Sequence, residues 1–302
     1  MRWTRFILML LFALAIAASA QAEEVTFRDY GGEITVSADA EYIDLGKLTV
    51  NDYDAFEVFL DQLPNLKQVD MYTTHMFKGK AERLSTRYPD IQFGWTFYFA
   101  DHVIRTDQVI FSTFHDSRGT SHTTAEMEVI RYCTNLRVLD LGHNWLTDIS
   151  FISELKELRV LILADNEITD ISVLAGLEKL EYIELFDNKI TDLTPLSNLT
   201  GLMDLNIAQN RVESLEPLYS MTWLKRLWIR DTVAKNSLLT SEVVQSLQDA
   251  LPETQIDAIS VGTEGGWRDH HHYSTLCRMF REFVFIPFDD SLIDAQTTDQ
   301  NN

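Results

Sequence analysis

Cysteine is scarce: two residues in a chain of 302 cannot form a disulfide scaffold. Positive charge is scarce as well, with 25 Lys and Arg against 46 Asp and Glu and a net charge of −21 at pH 7. An acidic surface repels phosphate backbones and anionic headgroups, so neither nucleic acid nor an anionic membrane surface is expected as the main partner. Long apolar runs are missing after the first 20 or so residues, so no membrane span is expected in the mature form. Catalytic spacing is missing too. There is no H-E-x-x-H, Gly262–Gly266 lacks the Lys-Ser/Thr of a phosphate loop, and Ser, His and Asp are scattered without a nucleophile signature. No enzyme activity and no cofactor are expected from these patterns.

What is present is ample core material and an export signal. Apolar residues make up 45% of the chain and include 17 Phe, 10 Tyr and 6 Trp, which excludes wholesale disorder. Arg2 and Arg5 precede the uninterrupted apolar run Phe6–Ala17, and Ala18-Ser19-Ala20 and Ala20-Gln21-Ala22 are both suitable cleavage sites. The run is shorter than the ~20 residues that cross a bilayer, so residues 1–22 read as a signal peptide rather than an anchor. Its removal leaves 23 basic residues against 46 acidic ones, or −23. The expected location is secreted, extracellular or in the cell envelope.

A repeat organises the middle of the chain. Asn144, Asn166, Asn188 and Asn210 follow one another at 22-residue intervals. Around them Leu136, Leu158, Leu180, Leu202 and Leu224 hold the first position of a frame. Leu139, Leu161, Ile183, Leu205 and Leu227 hold the fourth; Leu141, Leu163, Leu185, Ile207 and Ile229 hold the sixth. This is the L-x-x-L-x-L-x-x-N frame of leucine-rich repeats. Alternation of apolar residues predicts a short strand buried on one face, and a lone unit cannot cover that face, so units stack into a parallel sheet. The asparagine amide can both donate to and accept from backbone groups where the chain leaves the strand, which marks the four as a structural ladder. Thr232 stands where a fifth asparagine would fall.

The return limbs also repeat, as Asp148-Ile149-Ser150, Asp170-Ile171-Ser172, Asp192-Leu193-Thr194 and Ser214-Leu215-Glu216. Their polar residues suit turns, and Pro195 and Pro217 favour an extended limb or a 3₁₀ turn over a regular helix. A calcium ladder is the other reading of the Asp row, disfavoured by the absence of G-G-x-G-x-D. In the flanks, 52–63, 79–88 and 240–250 have helical spacing and end at Pro64, Pro89 and Pro252. Phe93–Thr113 reads as a hairpin or insertion. The expected fold is therefore α/β: one continuous leucine-rich repeat solenoid, with a curved parallel sheet on its concave face and more helical units at both ends. Its parts are a signal peptide (1–22), an N-terminal cap with irregular repeats (23–135), regular repeats (136–231), a C-terminal helical repeat and cap (232–288) and an acidic tail (289–302).

The frame with its I-T-D-I-S/L-T-P-L return limb resembles the repeats of bacterial internalin-type proteins. More widely the chain resembles exported leucine-rich repeat proteins of clostridial-type bacteria, through Thr106-Asp107, Phe111-Ser112-Thr113, Gly265-Gly266-Trp267-Arg268-Asp269-His270, Tyr273 and Arg278-Met279-Phe280. The likeness covers about Val50 to Phe280, and His271-His272 departs from the Pro-Arg of that tail. It implies recognition of a partner and no reaction.

Positions three, five, seven and eight of the frame project onto the concave face. There the large residues Tyr182, Phe186 and Trp228 cluster beside acids, as interface hot spots do. Tyr182, Glu184, Phe186, Asp187, Asn206, Trp228 and Arg230 are the expected binding residues for a protein or peptide of some basic character, with the chain monomeric. Cover by the flanking cap is the other reading of the same patch. A rival function is a metal site at Asp269-His270-His271-His272, with Asp269, His270 and His272 as candidate ligands for a metal-dependent enzyme or metal-binding protein. Consecutive residues of an extended chain point to opposite sides, which favours a polar surface loop instead. Leu251-Pro252-Glu253-Thr254-Gln255 lacks the glycine and apolar span of a wall-sorting signal. Cys133 and Cys277 are separated by four or more stacked strands, which predicts no bond between them, and Cys133 reads as a small core residue.

Overall fold

The computed structural model describes residues 23–99, 102–113, 121–232 and 239–288. Residues 1–22, expected to be a signal peptide, and 289–302, expected to be an acidic tail, lie outside the described residues. The chain divides into two compact units, one ending at Thr96 and the other beginning at Phe97.

In the first unit, β1 (Glu24–Asp29) and β2 (Gly32–Ser37) form an antiparallel pair. Strands β3 (Tyr42–Asp44), β4 (Gln68–Met76) and β5 (Gln92–Phe99) lie side by side in that order. Helices α1 (Tyr53–Leu60) and α2 (Lys78–Arg87) fill the connections, close to the stretches expected from helical spacing. Asp52 caps α1 by accepting from the Ala55 amide at 2.9 Å, a standard way to satisfy an orphan N–H. Phe27, Phe56 and Phe59 pack ring against ring beneath the first pair, with centroids 5.1–6.1 Å apart.

The second unit is built on a seven-stranded parallel sheet: β7 (Ile110–Ser112), β8 (Val138–Asp140), β9 (Val160–Ile162), β10 (Tyr182–Glu184), β11 (Asp204–Asn206), β12 (Arg226–Trp228) and β13 (Gln255–Asp257), each beside its sequence neighbour. The single continuous sheet expected from the repeats begins only at β7. Strands β3 to β5 and β6 (His102–Arg105) belong to a separate four-stranded sheet. The physical reason lies in Phe93–Thr113, where β5 and β6 are adjacent strands only two residues apart in sequence. So short a link cannot make a parallel crossover, and the one-strand-per-repeat progression is broken there. The expected hairpin or insertion is thus found at this point.

Each repeat has the same anatomy. The fourth-position residues Leu139, Leu161, Ile183, Leu205 and Leu227 are fully buried on one sheet face. Residues before the asparagines, His143, Asp165, Asp187 and Gln209, and then Asp231, all adopt left-handed backbone (φ 50–59°). Asp, Asn and His tolerate that region better than most residues. The Asn188 amide donates to the carbonyls of Leu163, Leu185 and Phe186 and accepts from the Ile168 amide at 3.0 Å. Asn166 and Asn210 repeat this set, and Asn144 accepts from His122 instead. Thr232 carries the ladder one step further, its hydroxyl donating to the Ile207 carbonyl at 2.5 Å.

The return limbs are 3₁₀ turns at Ser150–Ile152, Ser172–Gly176, Thr194–Leu196 and Glu216–Ser220. Asp148, Asp170 and Asp192 each accept from the amide two residues on, at 2.7–2.8 Å. That geometry is turn hydrogen bonding. After the repeats come α4 (Ser241–Ala250) and α5 (His271–Glu282); a short α3 (Thr124–Met127) precedes them all, near the start of the sheet. Cys133 is buried and Cys277 is exposed, both as free thiols. No helix of the described residues is long and apolar enough to cross a membrane.

Candidate functional site

The outward sheet face is not open to solvent. Tyr182 and Trp228 are fully buried, as are Glu184 and Asn206, while Phe186 and Arg230 are half-buried and Asp187 is exposed. The expectation of an exposed aromatic patch is therefore corrected in favour of its alternative, cover by the cap. Residues 258–288 fold back across the face. Trp267, Leu276 and Met279 join Ile110, Val138, Val160, Ile162, Tyr182 and Trp228 in one apolar cluster, with Phe285, Ile286 and Phe288 packed against it. Stacked repeats leave two apolar sheet faces, and the second needs cover just as the first does.

Polar contacts fix the cover in register, and the nominated residues supply most of them. Asn206 donates to the Gly262 carbonyl at 2.7 Å, Trp228 to Glu264 at 3.0 Å and Arg230 to Ile259 at 2.7 Å. The Trp267 indole N–H donates to the Tyr182 hydroxyl at 2.8 Å and to Glu184 Oε1 at 2.7 Å, and the Tyr182 hydroxyl donates to the same oxygen. Of the seven residues, Asn206, Trp228, Arg230, Tyr182 and Glu184 thus bind the chain's own C-terminal segment. Gly265 (φ 66°) makes the loop feasible, because a Cβ there would lie 1.9 Å from Ser260 Oγ.

Beneath Trp267 lies a buried ionic group that the residue-by-residue reading missed. Arg226 Nε donates to Asp204 Oδ1 at 2.7 Å and Nη1 to the Trp267 carbonyl at 2.8 Å, with the guanidinium 4.3 Å from the Trp267 ring centre. His272 Nδ1 lies 2.5 Å from Asp204 Oδ2. Burial opposes ionisation of Asp204, but bonds from His272 and Arg226 outweigh it and hold the carboxyl below its usual range. Asp204 and Arg226 are opposite charges at the same repeat position on adjacent strands, which is a legible signal for a cross-strand pair. Nothing local in the sequence links them to His272.

The histidines occupy a helix start rather than an extended loop. His270 caps α5, accepting from the His272 amide at 3.3 Å. This corrects the argument that three consecutive histidines diverge. In the first turn their rings crowd together, with centroids 4.3–4.4 Å apart, and one nitrogen from each lies within 4.8 Å of the others. Asp269 is exposed and stands outside this group; His271 takes its place. Burial, followed by the nearby Arg226 charge, pushes the His270 pKa down to about 4.

Between the cover and the sheet a cavity of about 400 Å³ remains. It is lined by Asp140, Ile162 and Glu184 from three adjacent strands, by Phe186, and by Tyr273 and Leu276 of α5. Asp140 and Glu184 both lie opposite Ile162 in register. His143, Arg268, Cys277 and Arg281 also line it. The size is that of a small-ligand site, and the apolar walls with two acids match such sites in character.

The stacked units, each a strand, an asparagine turn and a 3₁₀ return, have leucine-rich repeat architecture. Family models described as leucine-rich repeats match residues 156–198 as two copies and residues 132–150 as one. No curated protein sequence matches the chain. Among solved structures, internalin C2 of Listeria monocytogenes is 20% identical, with 75% of this chain and 84% of that one covered and a TM-score of 0.38. Internalin InlF of the same organism is 25% identical, covering 51% and 49% with a TM-score of 0.36. A leucine-rich repeat protein of Leptospira interrogans is 19% identical, covering 66% and 50% with a TM-score of 0.38. The chain spans about half the length of the latter two.

Proposed function

We propose that this chain is an exported recognition module that binds a protein or peptide of basic character. The observation that carries the reading is the half-open cavity at the seam of sheet and cover, walled by Asp140, Glu184 and Phe186. Beside it run the exposed turn residues Asp165 and Asp187. Phe186 and Asp187 keep accessible surface and are assigned to the partner, while Tyr182, Glu184, Asn206, Trp228 and Arg230 act by holding the cover. Removal of residues 1–22 leaves a body of cap, repeats and C-terminal cap that works as a monomer outside a bacterial cell, with the narrower likeness to clostridial-type exported proteins. Two experiments test this. Protein recovered from outside the producing cell begins at Gln21 or Glu23; an intact N-terminus on that protein removes the export step. Panning a random peptide library on residues 23–302 enriches sequences with Lys or Arg, and Phe186→Ala with Asp187→Ala weakens the selected peptides about tenfold or more, as loss of an interface anchor does. Failure to enrich any peptide family removes the recognition reading.

A second reading, a metal-binding cap, is favoured by the meeting of His270, His271 and His272 nitrogens within 4.8 Å. The Asp204 carboxylate behind His272 is the type of partner that orients a ligating imidazole. The adjacent Arg226 charge and the positive end of α5 oppose a cation there. Metal analysis of the purified protein decides it: one zinc per chain, lost in His270→Ala, establishes the site, and a metal-free protein removes it.

A further inference from the structure

We propose that the cavity between β8–β10 and α5 seats one tyrosine side chain of a partner peptide, its phenol hydroxyl bonded to the Glu184 carboxyl. This rests on the recognition reading and adds the chemistry of the partner's anchor. The walls are largely apolar: Ile162, Ala164 and Leu276 are buried, and Phe186 and Tyr273 are half-buried. Two carboxyls interrupt them, and they differ in what they can still accept. Asp140 takes the Gly142 amide on Oδ1 at 3.0 Å and Ser112 Oγ on Oδ2 at 2.9 Å, so both its oxygens are engaged. Glu184, 4% exposed, takes the Tyr182 hydroxyl and the Trp267 indole on Oε1 alone. Its Oε2 carries no hydrogen bond from the described residues.

A buried oxygen with spare accepting capacity is served at least cost by a neutral donor, which brings no ion to desolvate. A further cation is not called for, because Arg226 already acts on Glu184, and Arg268 and Arg281 line the same cavity. Burial chiefly raises the pKa of Glu184, which favours its neutral form. A phenol suits either state, since its hydroxyl donates to a carboxylate and accepts from a carboxylic acid. Tyr182 already makes this contact on Oε1, and the guest hydroxyl repeats it on Oε2. The ring fills the apolar part, and about 400 Å³ is room for one aromatic side chain. The mouth accounts for the basic character of the partner. Ala164 and Phe186 line the cavity, and the next residues in the chain, Asp165 and Asp187, are exposed acids. A tyrosine flanked by Lys or Arg is therefore the motif that fits.

Cys277 offers a direct readout, because it lines the cavity and is exposed while Cys133 is buried. Alkylation of Cys277 by iodoacetamide is followed in the folded chain with added N-acetyl-tyrosine methylamide, and separately with the phenylalanine and lysine analogues of that probe. The tyrosine probe is expected to protect with half-effect at about 1 mM, as suits so small a ligand, slowing alkylation about tenfold at ~10 mM. The phenylalanine probe, which lacks the hydroxyl, needs about tenfold more for the same effect. The lysine probe leaves the rate within about twofold at ~10 mM. Equal protection by tyrosine and phenylalanine, protection by neither, or stronger protection by lysine overturns the seat in the wild-type chain without reliance on any variant. Glu184→Leu, which can neither donate nor accept, brings the tyrosine and phenylalanine probes within about twofold of each other; a preference that persists there overturns the Glu184 contact. If library-selected peptides still bind when tyrosine gives no protection, recognition stands and the seat falls; if both fail, the recognition reading falls with it.

Discussion

At the residue scale, single side chains bridge groups far apart in sequence. Asn188 serves carbonyls in two successive repeats and the Ile168 amide of the earlier one. Removing its amide leaves several buried backbone groups unpaired at about 1–3 kcal/mol each. Asn188→Ala is therefore expected to cost about 2–4 kcal/mol, read as a lower urea midpoint with an unchanged slope. Asp204 is a sharper case, since it holds both Arg226 and His272 under Trp267. Asp204→Asn strips two buried cationic or polar partners of their counter-charge and is expected to cost about 3–5 kcal/mol. Asp187 combines a face position with a backbone role. Its sequence place marks it as a projecting contact residue, and its backbone is a left-handed turn (φ 54°) shared with four equivalents.

At the element scale, the cover built on α5 is the structural decision that shapes the site. Its helix start, the His270 cap, sits in a half-buried setting that favours the neutral ring. The pKa falls from 6.5 to about 4 on folding, so between those values the unfolded chain binds more protons than the folded one. Stability contributed by neutral His270 is full above pH 6.5 and is lost as pH falls towards 4. Asp204 adds a second, lower window: its depressed pKa makes stability fall as pH drops below 3.8. Tryptophan emission, which includes buried Trp228 and Trp267, is expected to red-shift in the first window, and His270→Ser, which retains a capping oxygen, removes that step. A pH profile with no transition between 6.5 and 4 contradicts this account.

At the scale of the whole molecule, the two thiols report the arrangement. Cys133 is sealed in the repeat core, where burial pushes its thiol far above the ordinary range, and Cys277 is exposed on α5 at the cavity wall. Native protein is expected to take up one equivalent of iodoacetamide and denatured protein two. Two fast thiols in native protein would mean that the repeat stack does not close over Cys133 as described. Among the described residues the buried acids are Glu57 in the first unit and Asp140, Glu184 and Asp204 beneath the cover.

The repeat, its strand positions, the asparagine ladder, the 3₁₀ returns and the helices ending at Pro64, Pro89 and Pro252 were all legible, because each depends on periodicity or on neighbours within a turn. That Tyr182, Glu184, Asn206, Trp228 and Arg230 leave the repeat core was legible as well; that the chain's own C-terminal segment meets them was not. The frame marks which side chains leave the core, but it holds no information on what later segment returns to meet them. Trp267 lies 85 residues from the Tyr182 hydroxyl it reaches, and His272 lies 68 from Asp204. Local pattern determined the sheet; tertiary structure alone decided its cover, because that choice depends on apolar area and opposite charges meeting across distances that no short-range spacing records.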